Sequence, residues 1–259
     1  VDSPSFGRGL QDHLTVRCVH ASKEPDRLFG LRRMDRAALA VLRAMLTKTG
    51  DGTVFPLEGG AFLKSRAEVE YPDLQIHFYP GVPATTGLRV PFQKTPPGVH
   101  DGYGYGGTIC QLRPESRGEI RLRSADPFAP PVIRANYLST ETDRLTMRAG
   151  FKIMRDILQQ QAFAKFNGHE YMPGPQVQSD SDIDAYIAAN ANTVYHPVGT
   201  CRMGMDEQSV VDGQLRVRGV EGLRISDASI MPTLVSANTN APTIMIAEKT
   251  ADMILRGAA

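Results

Sequence analysis

"GTICQLRPESRGEIRLRS", residues 107–124, decides the fold class. Ile109 and Gln111 open one run, Pro114 to Gly118 supply turn residues, and Ile120 and Leu122 alternate with Arg121 and Arg123. Alternation with a period of two marks half-buried strands, and turn residues between two such runs mark a hairpin. So short a connection cannot join parallel strands, which need a crossover of about a dozen residues or more. The expected fold class is therefore α+β, a mostly antiparallel sheet over roughly 17–190 flanked by helices on one side.

Outward from this stretch the signals alternate without repeats. "LQIHFYP" (74–80) is a short β-like run, and 81–107, rich in Pro and Gly, reads as a long loop. Long loops in compact proteins tend to be functional or mobile. Residues 35–47 place Leu39, Leu42 and Leu46 at helical spacing. Residues 142–160 form the strongest helix, with Met147, Phe151, Met154 and Leu158 on one stripe. Ser181 followed by Asp184 reads as a capping arrangement for a short helix ending at Asn190. "QLRVRGVEGLRISDAS" (214–229) alternates like strands, and "APTIMIAEKTADMIL" (241–255) closes the chain as a helix with Pro242 in its first turn.

Composition excludes several classes. A chain of 259 residues, 41% apolar, can bury a substantial core in one large domain or two. Its 29 basic and 28 acidic side chains leave a net charge of +1, with no electrostatic footprint for nucleic acid. No apolar run reaches the roughly 18 residues of a membrane span. Cys18, Cys110 and Cys201, odd in number and widely spaced, argue against a disulfide framework and fit a reducing compartment. Val1 and the Gly/Pro/Ser-rich opening suggest a fragment or a processed chain.

Candidate chemistry sits in loops. "GYGYGG" (102–107) lacks the Gly-x-Gly-x-x-Gly order and the following helix of a phosphate cradle. No Gly-x-Ser-x-Gly elbow is present, so Asp227 and Ser229 are not supported as triad members. His196 and Cys201 have no second pair at ligand spacing, so no metal site is expected. "TVYHPVGTCRMG" (193–204) reads as a loop presenting one imidazole, His196, to a partly apolar place. "SANTNAPT" (236–243) sets Asn238 and Asn240 directly before a helix, whose N-terminus suits an anionic or electron-rich partner. On residue types alone, Asn there is most often a cap and a lone loop His most often structural. Proton transfer by His196 stays beside that bland reading.

Longer stretches narrow the choice. "GLQDHL" (9–14), "EGGAFLKS" (58–65), "PDLQIHFYP" (72–80), "QLRPESRGEIRLRSADP" (111–127), "NYLS" (136–139), "YHPVGTCRMG" (195–204) and "VEGLRISDASIMPTLVSANTNAPTIMIAEKTAD" (220–252) run nearly end to end. Together they resemble the C-terminal half of a glucose-methanol-choline (GMC) flavoprotein oxidoreductase, in the choline dehydrogenase and alcohol dehydrogenase branch.

The resemblance implies FAD as cofactor and a small-molecule alcohol as substrate, oxidised to the aldehyde by hydride transfer to the flavin. His196 matches the family's catalytic acid/base, and Asn240 its active-site partner. Asp227, Ala228, Asn238 and Thr239 match positions along the flavin or its diphosphate, largely through backbone groups. The implied organisation is 1–16 at the edge of the FAD domain, 17–190 as substrate-binding domain, and 191–259 as active-site loop plus the C-terminal return segment of a Rossmann-type FAD domain. The dinucleotide fingerprint does not occur in this chain, so an N-terminal FAD-binding half is an implied partner; the alternative is an FAD-less, non-catalytic fragment acting only as a folded substrate domain or interaction module. Without that half, Ile225, Ile244, Ile246 and Ile254 are expected to lose part of their burial. Gly9 and Phe6 depart from the family pattern on the face expected to meet it. The implied location is cytoplasmic, with peripheral attachment at the inner membrane as a variant.

Overall fold

The computed structural model describes residues 3–26, 29–53, 57, 59–81, 90–92 and 102–257. Its strands are β1 (Arg8–Leu10), β2 (Leu14–Ser22), β3 (Gly59–Leu63), β4 (Leu74–Tyr79), β5 (Gly104–Gln111), β6 (Gly118–Arg121), β7 (Val132–Arg134), β8 (Asn167–Met172) and β9 (Asn192–Thr193). Its helices are α1 (Met34–Thr47), α2 (Glu141–Gln159), α3 (Asp180–Asn190) and α4 (Asn240–Gly257). Among these helices none is long and apolar enough to cross a membrane.

The main sheet runs β3-β4-β5-β2-β8, with β9 also on β2, and every pair is antiparallel. β1, β6 and β7 form a second antiparallel sheet. The fold class expected from the sequence is thus observed, but the 107–124 hairpin is not. β5 pairs with β2 and β4, while β6 pairs with β1 and β7. The cause lies outside the stretch. The Asp143 carboxylate, fully buried, accepts from the backbone N–H groups of Glu115 (2.9 Å) and Ser116 (2.8 Å) and from the Gln111 amide (2.7 Å). That pins the turn residues against α2 and sends the chain into the other sheet.

α2 covers one face of the main sheet. Met147, Phe151, Met154 and Leu158 are all fully buried there, against Leu74, Ile76 and Ile109. Of the 102–107 glycines, Gly107 serves this packing. A Cβ on Gly107 would lie 2.2 Å from the Met154 methyl carbon. The long loop expected over 81–107 falls mostly outside the described residues, and its last part, from Gly104, already belongs to β5. α3 starts earlier than expected. Ser179 and Asp182 form its capping box, not Ser181 and Asp184. Asp184 instead receives the Arg148 guanidinium of α2, Nε at 2.8 Å.

Between β9 and α4 the chain has little regular structure. Residues 214–229, expected as strands, make only isolated bridges such as Val211 with Val217 and Arg216 with Arg224. They gather around a second apolar cluster that includes Val198, Val211, Leu215, Ile230 and Ile246. The expected loss of burial holds for Ile244 and Ile254, both exposed, and in part for Ile225, which is half-buried; it does not hold for Ile246, which is 8% exposed. α1 is also outward-facing. Its half-buried alanines, Ala37, Ala40 and Ala44, lie toward the protein, and Leu39, Leu42 and Leu46 are exposed.

Candidate active site

His196 stands on a short bulge clamped at both ends by the 11–15 segment. On one side Thr193 and Asn192 pair with Leu14 and Thr15. On the other, Val198 and Gln11 exchange two backbone bonds, 2.9 and 3.1 Å. Between the clamps Val194 N–H donates to His13 O at 3.2 Å. Tyr195 sits at φ +65, a left-handed conformation that costs a non-glycine residue energy and turns the next side chain. The crossing behind the bulge is tight. At Gly199, φ +90, a Cβ would lie 2.4 Å from the Gly9 carbonyl oxygen.

One buried carboxylate organises the bulge. Asp12, 7% exposed, accepts from the His196 backbone N–H at 2.9 Å and from the hydroxyls of Thr193 and Tyr137. The imidazole of His196 is half-buried, and its Nδ1 lies 3.0 Å from Nδ1 of His13. His13 has no exposed surface, and its Nε2 lies 3.1 Å from both the Leu112 and the Val235 carbonyl oxygens. Burial, then the neighbouring His196, lowers His13 from 6.5 to about 4. Burial also lowers His196, opposed by the Asp12 charge. Both rings are therefore held toward their neutral forms, and a neutral imidazole has a lone pair with which to take a proton.

The sheet supplies a wall. Leu74 and Ile76 face α2, so alternation puts Gln75 and His77 on the opposite face. Gln75 Nε2 donates to Asn238 Oδ1 at 3.2 Å. His77 is lowered by burial and then by the His196 charge, and its Nδ1 is 3.4 Å from the Thr108 hydroxyl. This face thus looks onto both His196 and the 235–240 segment.

Backbone pairing brings the 227–231 turn beside the chain that follows His196. Cys201 N–H donates to Ser229 O and Met203 N–H to Ile230 O, at 2.9 and 2.8 Å, which sets 227–231 against the chain following His196. Asp227 caps the turn at Ala228–Ile230, accepting from Ser229 N–H at 2.7 Å. His13 joins His196 to Val235, five residues before Asn240. Asn238 and Asn240 are exposed, whereas Thr239 is 8% exposed and offers its backbone, its carbonyl accepting from Thr243 N–H at 3.0 Å. The exposed start of α4, with the positive end of its dipole and two amides, fits the electron-rich ring end of a flavin. The dinucleotide-gripping glycine motif is not among these residues.

Sequence reasoning missed Asp12, His13, Gln75 and His77. In "GLQDHL" (9–14) the resemblance covers Asp12 and His13 without giving either a role. An adjacent Asp–His pair opening an apolar strand is the signal that would have singled it out. A separate cluster, Cys18, His20 and Glu170, has ligand atoms within 4.8 Å of one another behind the sheet. Arg155 holds both oxygens of Glu170, each at 2.8 Å, so a metal there would have to displace a part-buried, forked ion pair.

The chain is similar to known proteins along nearly its whole length. The family profile of GMC oxidoreductase matches residues 114–247. Mitochondrial choline dehydrogenase of Mus musculus is 46% identical over 97% of this chain and 41% of its own length. The alcohol dehydrogenase (acceptor) of Pseudomonas putida is 45% identical over 98% of the chain and 45% of its own. A formate oxidase variant from Aspergillus oryzae RIB40, whose structure concerns FAD modification, superposes with TM-score 0.84 at 26% identity, covering 98% of this chain and 48% of that one. The chain spans less than half the length of the curated relatives it matches.

Proposed function

The chain belongs to the GMC oxidoreductase family, and from that premise we propose that it carries the acid/base side of an FAD-dependent oxidation of a primary or choline-like alcohol to the aldehyde. When bound, FAD would supply the acceptor for the hydride leaving the carbinol carbon. His196 takes the hydroxyl proton, and the Asn240 amide holds the alcohol oxygen. The Asp227–Ala228 turn, Asn238 and the Thr239 backbone would hold the flavin, and the positive end of the α4 dipole would favour negative charge beside it. Gln75 fixes Asn238, and Asp12 fixes the bulge that carries His196.

The single observation that carries this reading is a half-buried imidazole, held toward its neutral form on a doubly clamped bulge. Such a group is built to accept a proton, and a positioned acid–base group contributes about 10²–10⁴-fold. A second half of the relatives' length belongs to the proposal. α4 exposes Ile244, Met245, Ile254 and Leu255 around its circumference, and apolar residues on several sides of a helix mark one that is buried on several sides. A cytoplasmic location goes with the same reading, since Cys18, Cys110 and Cys201 are all free.

The test is His196→Ala in the flavin-loaded protein, reading the rate of flavin reduction by alcohol per bound flavin. The expected loss is about 10²-fold or more with little change in alcohol binding. Asn240→Ala should lose less, because it removes a hydrogen bond and not the proton acceptor. Near-normal reduction in His196→Ala would sink the assignment.

A further inference from the structure

We propose that His13 is a positioning residue which fixes the ring tautomer of His196, leaving Nδ1 protonated and Nε2 as the free basic nitrogen. The argument runs through donors and acceptors. His13 Nε2 lies 3.1 Å from two carbonyl oxygens, Leu112 and Val235. Carbonyl oxygens only accept, so Nε2 must carry the hydrogen; a bare lone pair in that buried place would face two others. With the ring neutral, its Nδ1 is then an acceptor. The atom 3.0 Å away is His196 Nδ1, which must donate. A neutral imidazole has one N–H. His196 therefore keeps its proton on Nδ1 and its lone pair on Nε2.

The surroundings make this one-way. His13 has no exposed surface, so water does not replace either partner. Its low proton affinity, about 4 against an ordinary 6.5, keeps it an acceptor at neutral pH. Were His13 to gain a second proton, its Nδ1 would donate and the His196 tautomer would reverse. Asp12 cannot do the same work. Its Oδ1 accepts from the His196 backbone N–H at 2.9 Å, which orients the bulge, not the ring proton. His77, the other titratable group facing His196, has its Nδ1 near the Thr108 hydroxyl at 3.4 Å.

The inference rests on His196 being the base, but its test does not. In the flavin-loaded protein carrying ¹⁵N-labelled histidine, the His196 ring at neutral pH should show a pyrrole-type Nδ1 and a pyridine-type Nε2. The opposite order, or a mixture, overturns the proposal even if His196→Ala proves inactive. The expected order with a fully active His196→Ala would leave it standing and remove the catalytic reading instead. His13→Leu should lower flavin reduction about 10-fold or more, the lower end of the loss seen when a partner orienting a metal-bound imidazole is removed, with alcohol binding and flavin content retained and the His196 tautomers mixed. His13→Gln, whose amide can donate to a carbonyl and accept from His196, should restore the single tautomer and most of the rate. A folded His13→Leu with an unchanged rate and tautomer overturns the proposal. Should His13→Leu not fold, the labelled wild-type spectrum and His13→Gln decide.

Discussion

α2, with 19 residues, and α4, with 18, are built from similar material and end up in opposite situations. α2 sinks Met147, Phe151, Met154 and Leu158 completely, because its own chain supplies the sheet beneath it. α4 buries only Ile246 and Thr250, along one narrow strip, and leaves four large apolar residues in the open. The difference teaches where the described residues close a core and where they do not. The sheet and α2 close one; α4 carries apolar surface that the described residues leave uncovered.

The largest expected effect tests the closed half. Phe151→Ala should cost about 3–5 kcal/mol, since it removes a fully buried aromatic from a core that cannot collapse around the gap. Urea unfolding would read this directly. A cost under about 1 kcal/mol would mean the α2 face is looser than its burial implies, and the contrast with α4 would fail.

The next effect lies at the seam between the halves, where His13 ties β5's end to the segment leading into α4. Its folded value of about 4 lies below the ordinary 6.5. The unfolded chain therefore takes the proton first. This contribution is complete above pH 6.5 and is lost as the pH falls toward 4, by on the order of 3 kcal/mol. Carboxylates titrate over the same range, so the measurement is the pH dependence of unfolding in wild type against His13→Gln. Parallel curves would remove His13 from the seam.

How much of this was legible follows the distance over which each decision is made. The α2 stripe repeats every three or four residues, so the sequence shows it outright. The antiparallel class of the sheet is observed, although the hairpin that implied it does not form. The true pairing of 107–124 was not legible, because it is decided by Asp143, a buried carboxylate 27 residues beyond the backbone N–H it binds. His196 could be seen as a loop imidazole. Its partners could not, since Asp12 and His13 reach it across 184 and 183 positions. The capping box slipped by two residues because Ser179 and Ser181 both suit the role; Arg148 of α2 claims Asp184 and settles the choice.

A smaller effect sharpens the packing contrast. Gly150→Ala should gain about 1 kcal/mol in helix propensity in isolation. In α2 the added Cβ would lie 2.6 Å from Ile109 Cγ2 and 2.8 Å from Leu74 Cδ2. Overpacking of that kind costs about 1–3 kcal/mol, so the net change should be destabilising. A stabilised Gly150→Ala would show that the sheet yields.

The smallest expected effect is the counterpart in α4. Ile254→Ser and Leu255→Ser change side chains that are 46% and 74% exposed. In the isolated chain they should shift stability by no more than about 0.5 kcal/mol, the range of surface substitutions. Met154→Ser, on the closed face, should cost several times more. The same α4 pair becomes informative in a flavin-loaded protein of the relatives' full length. If a second half covers α4 there, the exposed surface is buried and each serine forfeits the transfer free energy of an apolar side chain, about 1.5–3 kcal/mol when burial is complete. A null effect in both settings would mean that nothing packs on α4, and its apolar residues would then record no partner. A cost in both would place the cover within this chain, and the two helices would no longer differ in kind.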